Sequence, residues 1–251
     1  MTSSCEEVPW VSILTPVANG WEYLEECARS IFSQVRAASD EDGPRVTWEW
    51  CVGINGHGLT GGEAMKMAEQ IQRSLFVEEY GISMKVVNLP EVKGKVGALH
   101  ALVGLSKGEW IALLDCDDKW APHKLILQKI AVDSIAKEAG VIGTLCWYFG
   151  DWESEGPSLP SGWVPPAAFK EMNPIINSSA IMKREYALWT DEWWGLDDYE
   201  LWLRLRSEGV KFYNIPLRLV YHRIHAASAF NSSGKQDVKG LISKYFKEEE
   251  C

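Results

Sequence analysis

The sequence lacks the marks of several protein classes. None of its six cysteines forms a Cys-x-x-Cys pair, so we expect neither a zinc site nor a disulfide scaffold, and a reducing compartment fits better. The opening residues, MTSSCEEVPW, lack the basic and apolar regions of a signal peptide. No apolar run is long enough to span a bilayer. We therefore expect no integral membrane segment and a cytoplasmic location.

The chain also has fewer basic residues than acidic ones. The chain carries 25 Lys and Arg residues against 35 Asp and Glu residues, which gives a formal net charge of −10. A nucleic-acid partner needs a basic face to meet phosphates, so we expect no nucleic-acid partner. The 251 residues, 46% of them hydrophobic, are enough for one large α/β domain or two small ones.

Strand and helix signals alternate along the first part of the chain. Short apolar or β-branched runs predict strands, and segments with apolar residues at helical spacing predict the helices between them. The predicted strands are 10–17, 46–54, 84–89, 110–116 and 141–149, and the predicted helices are 21–35, 63–80, 96–106 and 122–139. This alternation predicts a mostly parallel, doubly wound sheet, in which ligands bind beyond the carboxyl ends of the strands.

The pattern changes in the second part of the chain. A segment rich in Gly, Pro, Ser and Trp predicts a long loop over 151–166. The predicted elements after it are a short strand at 178–182, a helix at 199–207, strands at 210–215 and 217–224, and a charged helix at 235–250. No internal repeat or linker divides the chain, so we predict a single unit over 1–251.

Three carboxylates, Asp115, Asp117 and Asp118, follow an apolar run in the stretch LLDCDDKW. Carboxylates this close repel one another unless a cation joins them. Mg²⁺ and Mn²⁺ prefer oxygen ligands and are often held by one or two carboxylates together with substrate phosphates. The same residues could instead form a turn before the next helix, where Asp is also favoured. We favour a metal site because all three follow a predicted strand.

A wider resemblance rests on four segments that occur in order along about residues 10–225. They are TPVANGWEYLEECARSIFSQ, GKVGALHALVGLSKGEWIALLDCDDKWAPHKL, NSSAIMKRE and GLDDYELWLRL. In turn they resemble the opening strand and helix, the approach to the Asp-x-Asp motif, the acceptor-side strand and the catalytic helix of the family-2 glycosyltransferases. The resemblance implies the GT-A fold, an α/β fold with a Rossmann-like, mostly parallel central sheet flanked by helices and a small acceptor-side subregion.

The resemblance also implies a division of the chain and an activity. A nucleotide-sugar-binding half would cover about 8–120, an acceptor-side half about 121–234, and a C-terminal helix 235–251. The implied enzyme is an inverting, metal-dependent glycosyltransferase that moves a sugar from a nucleotide diphosphate sugar, by default a UDP-sugar, to a glycan or other hydroxyl acceptor. The implied cofactor is Mn²⁺ or Mg²⁺.

Roles for individual residues follow from the resemblance and from their chemistry. Asp198 is the candidate general base, and the Trp pair before it offers flat faces on which sugars stack. The expected metal ligands are Asp117, Asp115 and His225; the expected nucleotide-sugar contacts are Thr15, Pro16, Asn55, Lys95, Asp115 and Asp118; and the expected acceptor contacts are Trp193, Trp194 and Asp197.

Simpler explanations remain open for several of these residues. Lys95 could be a solvated loop lysine, and Asp198 could cap the helix that follows it. Asp118 could hold the turn rather than the donor sugar. Asn55 stands where the family often has Asp, and its amide offers both a donor and an acceptor, which leaves the preferred base open.

Three other functions also compete with glycosyl transfer. Haloacid-dehalogenase phosphatases share a strand followed by Asp-x-Asp, but their pattern continues to a Thr where this chain has Lys119. A sugar-1-phosphate nucleotidyltransferase normally has a Gly-rich, Arg-containing loop after its first strand, which VANGWEYL does not provide. A non-catalytic carbohydrate-binding module would need the Trp residues but not the carboxylates.

Overall fold

Strands and helices alternate through the first half of the computed structural model, which describes residues 8–37, 46–58, 61–75, 83–225 and 236–246. The elements are β1 (Val11–Val17), α1 (Leu24–Ala37), β2 (Trp48–Asn55), α2 (Gly62–Leu75), β3 (Ser83–Leu89), α3 (Gly94–Leu105) and β4 (Trp110–Leu113). Helices cover both faces of these strands, so β2 is buried along its whole length.

Shorter and less regular elements follow β4. They are β5 (Lys119–Trp120), α4 (Lys124–Ile130), β6 (Ala139–Gly150), β7 (Ser154–Glu155), β8 (Gly162–Trp163), α5 (Ala168–Glu171), β9 (Ile181–Lys183), α6 (Asp197–Ser207), β10 (Lys211–Ile224) and α7 (Val238–Tyr245). Helix α7 packs near α6, where the Tyr245 hydroxyl donates to the buried carboxylate of Glu200.

The strands of both halves join in one sheet, in the order β3-β2-β1-β4-β9-β6-β10-β5, with β7 beside β6 and β8 beside β10. Strands β3, β2, β1 and β4 are parallel, and β6 is parallel to β10, whereas β9 runs antiparallel between β4 and β6. The chain passes from β1 to β2 on one side and later returns to β4 on the other side of β1. This switch in direction opens a crevice at the carboxyl ends of the strands, where ligands bind in such sheets.

One buried charge within the sheet is fully paired. The carboxylate of Glu49, the second residue of β2, accepts from the Ser12 hydroxyl at 2.7 Å, from Lys85 Nζ at 2.5 Å and from the backbone N–H of Lys107. Burial opposes its charge, but these donors hold the pKa of Glu49 below its ordinary value. Buried carboxylates persist when they are paired in this way.

Several predicted boundaries differ from the structure. Strand β4 ends at Leu113 rather than 116, because the carboxylates after it leave the sheet in a turn closed by the Asp118 N–H and the Asp115 carbonyl, 3.1 Å apart. The strands predicted at 210–215 and 217–224 form one strand, β10, whose pairing with β6 is irregular around Pro216, a residue without an N–H to donate.

One predicted helix is shorter than expected, and two others are described only in part. The helix predicted at 122–139 covers only Lys124–Ile130 and continues as a wider turn to Ile135. Parts of the helices predicted at 63–80 and 235–250 lie outside the described residues, within which they cover Gly62–Leu75 and Val238–Tyr245.

Candidate active site

The three carboxylates after β4 point to three different partners. The Asp115 carboxylate meets Lys95 Nζ at 2.7 Å on one oxygen and accepts from Asn177 Nδ2 at 2.9 Å on the other. Its backbone N–H donates to the Ser178 hydroxyl at 3.1 Å. Burial opposes the charge of Asp115, but Lys95 and Asn177 hold its pKa below the ordinary value. Asp115 is therefore an anion held between α3 and the chain before β9.

Asp117 turns the opposite way, toward the end of β10. Its carboxylate lies 2.9 Å from Nε2 of His225, whose ring packs against Tyr23 with the ring centres 5.5 Å apart. Burial and the neighbouring carboxylates of Asp118 and Asp115 raise the pKa of Asp117. The structure thus brings two of the three expected metal ligands together, while Asp115 faces Lys95.

The backbone of this turn is fixed from β10. Arg223 Nε donates to the Asp117 carbonyl at 2.8 Å, and its guanidinium lies between the rings of Tyr23 and Phe149, 4.2 and 4.3 Å from their centres. Nothing in the local sequence around Arg223 indicates a stack between rings that are distant in the sequence. The structure assigns it to holding the turn.

Asp118 is buried and bonded to protein groups. One oxygen accepts from the backbone N–H of Arg223 at 2.8 Å, and the other lies 3.1 Å from Nδ1 of His222. The Asp118 charge raises the pKa of His222 to about 9, so the two form an ion pair at neutral pH. These contacts favour the turn-holding role of Asp118 over a contact with the donor sugar.

The ends of β1 and β2 carry the expected nucleoside contacts. Thr15 is buried and its hydroxyl accepts from the Trp50 indole at 2.9 Å, whereas the adjacent Pro16 is partly exposed near the carboxyl end of β1. Asn55 Nδ2 donates to the carbonyls of Val92 and Gly94 at 3.3 and 3.2 Å. Carbonyls only accept, so this pairing fixes the amide orientation. Among the described residues, no donor reaches the Asn55 side-chain oxygen.

Asp198 lies in the first turn of α6. Its oxygens accept from the backbone N–H of Tyr199 at 2.7 Å and from Asn173 Nδ2 at 3.0 Å. Burial raises the pKa of Asp198 to about 6, and the charge of Asp197 adds to this rise, while Lys95 opposes it. The residue at the N-cap of α6 is Leu196, so Asp198 is not the N-cap residue, and its carboxylate accepts from an N–H of the first turn instead.

Lys95 connects the two acidic groups. Burial opposes its charge, but the carboxylates of Asp115, Asp197 and Asp198 outweigh that cost and raise the pKa of Lys95. It is therefore a permanent cation between the carboxylate turn and the first turn of α6, rather than a solvated loop lysine.

The tryptophans before α6 have different exposures. Trp189 is buried in the core, where its backbone N–H donates to His100 at 3.2 Å. Trp193 is partly buried beside Lys244, whose Nζ lies 5.9 Å from its ring centre. Trp194 is 66% exposed and, of the three, has the most free surface for a ligand.

A mostly parallel sheet with an acidic turn at its switch point is the GT-A architecture of nucleotide-sugar enzymes, and solved GT-A structures match it. Residues 12–187 match the protein-family model for glycosyl transferase family 2, and the chain belongs to that family. Both the fold class and the family inferred from the sequence are thereby confirmed.

One similar curated protein is the UDP-Glc:alpha-D-GlcNAc-diphosphoundecaprenol beta-1,3-glucosyltransferase WfaP of Escherichia coli. The two are 25% identical over 158 residues, which are 59% of this chain and 58% of WfaP. The chain therefore spans little more than half the length of that relative.

Two solved structures share the fold. The structure of S. aureus TarS 1-349, in complex with UDP-GlcNAc, has a TM-score of 0.70 at 14% identity, over 94% of this chain and 66% of that chain. The mannosyltransferase PcManGT of Pyrobaculum calidifontis, in complex with GDP-Man and Mn²⁺, has a TM-score of 0.63 at 17% identity, over 88% and 59% of the chains. In the part of our chain that the structure describes, no helix has the length and apolar character needed to cross a membrane.

Proposed function

We propose that the protein transfers a sugar from a nucleotide diphosphate sugar to an acceptor hydroxyl, with inversion at the anomeric carbon. The observation that carries this proposal is that Lys95 lies between two carboxylates whose pKa values are shifted in opposite directions. Asp115 is a stable anion at the crevice, and Asp198 has a pKa raised to about 6, suited to taking a proton near neutral pH.

The donor nucleotide would lie at the carboxyl ends of β1, β2 and β4. The fixed amide of Asn55 leaves its buried side-chain oxygen without a donor in the described part of the chain, and a base with a ring N–H, such as uracil or guanine, would supply that donor. The relatives' donors, a UDP-sugar for WfaP and TarS and GDP-Man for PcManGT, carry these two bases. We take a UDP-sugar as the default donor and assign the ribose to Asp115.

The residues also fit a divalent cation, Mn²⁺ or Mg²⁺, held by Asp117 and His225. Across the described residues, no set of three His, Cys, Asp or Glu side chains is arranged to hold a metal alone. A carboxylate oxygen and an imidazole nitrogen 2.9 Å apart suit a cation whose other ligands are diphosphate oxygens and water. When bound, the cation would neutralise charge on the departing diphosphate. The Mn²⁺ in the PcManGT structure supports this assignment.

Asp198 would accept the proton of the attacking hydroxyl. Its deprotonated form predominates above about pH 6, and Lys95 beside it favours the carboxylate. A base on the side of the sugar opposite the diphosphate leads to inversion. We assign acceptor contacts to Trp193, Trp194 and Asp197. The exposed indole face of Trp194 is suited to stacking on a sugar, and the partly buried Trp193 and Asp197 are its neighbours along the chain.

The acceptor would be a glycan or another hydroxyl compound, and the lipid-linked sugar of WfaP is one chemical precedent. We keep the division into a donor half, 8–120, and an acceptor half, 121–234, as part of the proposal. Family membership argues against the nucleotidyltransferase, phosphatase and binding-module alternatives.

A thermal-shift panel tests the donor assignment. We expect UDP and GDP with Mn²⁺ to raise the melting temperature, because a ligand that binds only the folded state stabilises it. CDP and ADP, whose bases lack a ring N–H at the matching edge, should give smaller shifts, and chelation of Mn²⁺ should reduce all of them. Equal shifts for all four nucleotides would contradict base recognition by Asn55, and no shift with any of them would contradict the function.

A further inference from the structure

The segment between α5 and β9, residues 172–180, contacts both carboxylates of the proposed reaction. Near its start, Asn173 donates to Asp198 at 3.0 Å, and four residues later Asn177 donates to Asp115 at 2.9 Å. The two asparagines therefore touch the base and the donor-side carboxylate from one short stretch of chain. Neither was predicted from the sequence to be a site residue.

The amide of Asn173 has only one possible orientation. Its oxygen accepts from the backbone N–H of Ile175 at 3.3 Å, so its NH₂ group faces the Asp198 carboxylate. The second oxygen of Asp198 accepts from the Tyr199 N–H. Each carboxylate oxygen of Asp198 thus accepts one hydrogen bond, one from the segment 172–180 and one from α6. The charged groups that influence the pKa of Asp198 are Asp197 and Lys95.

The other end of the segment is anchored in the core. Ser178 is buried; its hydroxyl accepts from the Asp115 N–H, and its carbonyl accepts from the Trp120 indole at 2.7 Å. The next carbonyl, that of Ser179, accepts from the buried Gln128 at 2.9 Å. Because these contacts fix the backbone, the amide of Asn177 meets Asp115 from a rigid support.

We propose that residues 172–180 act as a spacer that sets the position of Asp198 relative to Asp115, with Asn173 and Asn177 as its two positioning residues. The roles of the two carboxylates rest on the proposed function. Asn173 stabilises the ionised form of Asp198 and directs one of its oxygens. Asn177 keeps Asp115 turned toward Lys95 and the donor.

Direct titration of Asp198 tests the Asn173 half of the proposal without any acceptor. The carboxyl carbon of Asp198 is followed by NMR in protein labelled with ¹³C-aspartate, and the signal is assigned with D198N. We expect N173A to raise the midpoint of the Asp198 titration by about one pH unit, since a donor to a carboxylate lowers its pKa. N173D, which has the same shape but adds a negative charge, should raise it further.

The Asn177 half is tested by binding of UDP and GDP in the presence of Mn²⁺, measured by calorimetry. N177A should weaken nucleotide binding by about fivefold to tenfold, the usual effect of losing one such hydrogen bond. It should leave the Asp198 titration unchanged, while N173A should leave nucleotide binding unchanged. Each variant is therefore the matched control for the other.

Four outcomes would overturn the proposal. The first is an Asp198 titration midpoint that does not shift in N173A or N173D, and the second is unchanged nucleotide affinity in N177A. The third is that N173A and N177A both shift the Asp198 midpoint and both weaken nucleotide binding. The fourth is that both N173A and N173D lose cooperative unfolding. Failure of the wild-type protein to bind UDP or GDP would instead refute the proposed function. The Asp198 titration would still decide the role of Asn173.

Discussion

Replacing Asp198 with asparagine tests the proposed base with little change in shape. The asparagine oxygen can still accept from the Tyr199 N–H, but its NH₂ group then faces the NH₂ group of Asn173. The pKa of Asp198 rises from 3.8 to about 6 on folding, which costs up to about 3 kcal/mol at neutral pH. D198N removes that cost and adds a donor clash of about 1–3 kcal/mol, so we expect little net change in stability.

The effect on transfer should be much larger than the effect on stability. Loss of a general base typically lowers the rate by about 10²–10⁴-fold. We expect a fall of that size in the release of nucleoside diphosphate from the best-binding donor, while the affinity for that donor stays unchanged. The wild-type rate should fall as the pH drops through about 6, because Asp198 takes up a proton there.

The neighbouring D197N variant is the matched control. The charge of Asp197 contributes to the raised pKa of Asp198, so its removal should move the acidic limb of the rate profile to lower pH. D197N should keep most of its turnover rate near pH 7 at saturating acceptor, while the loss of its proposed acceptor contact should appear as a higher KM for the acceptor. A D198N enzyme with the wild-type rate, or equal losses in the two variants, would refute the assignment of Asp198.

Three further perturbations have clear expected outcomes. D117N should weaken Mn²⁺-dependent UDP binding by about tenfold or more in calorimetry, whereas D133N, which breaks only an exposed ion pair, should not. G108A should lower the free energy of unfolding by about 1–3 kcal/mol in denaturant titrations, because its Cβ would lie 2.5 Å from a backbone nitrogen of β1. W194A should lower kcat/KM for the acceptor by about tenfold, while W163A, at a second exposed indole, should leave it unchanged. The opposite result in either matched pair would contradict the role proposed for Asp117 or Trp194, and wild-type stability of G108A would contradict the close packing at Gly108.

The sheet could be predicted from the sequence because helices cover both faces of its strands. Continuous apolar runs such as that of β2 are the local signature of this arrangement. The boundary of β4 was set too late, because the apolar run continues through Leu114 while the Asp115 side chain already has its partners outside the sheet. The point at which the backbone leaves the sheet is therefore determined by contacts with residues that are distant in the sequence.

In the site, too, the local sequence indicated which residues matter but not which partners they contact. The close spacing of the carboxylates in the sequence was informative, but the directions of their side chains depend on Lys95, Asn177 and His225, which come from three other parts of the chain. Asparagines in a loop ordinarily form turns, so Asn173 carries no local signal for its contact with a carboxylate 25 residues away. Only the folded chain relates these groups.

The central claim is that the carboxylate turn and Asp198 lie on opposite sides of the transferred sugar. The most direct measurement is a crystal structure with Mn²⁺ and an intact UDP-sugar, using the anomalous signal of manganese. We expect a manganese peak between the diphosphate and the side chains of Asp117 and His225, and an anomeric carbon whose free face points to Asp198. A manganese peak away from Asp117, or a donor sugar turned away from Asp198, would contradict it.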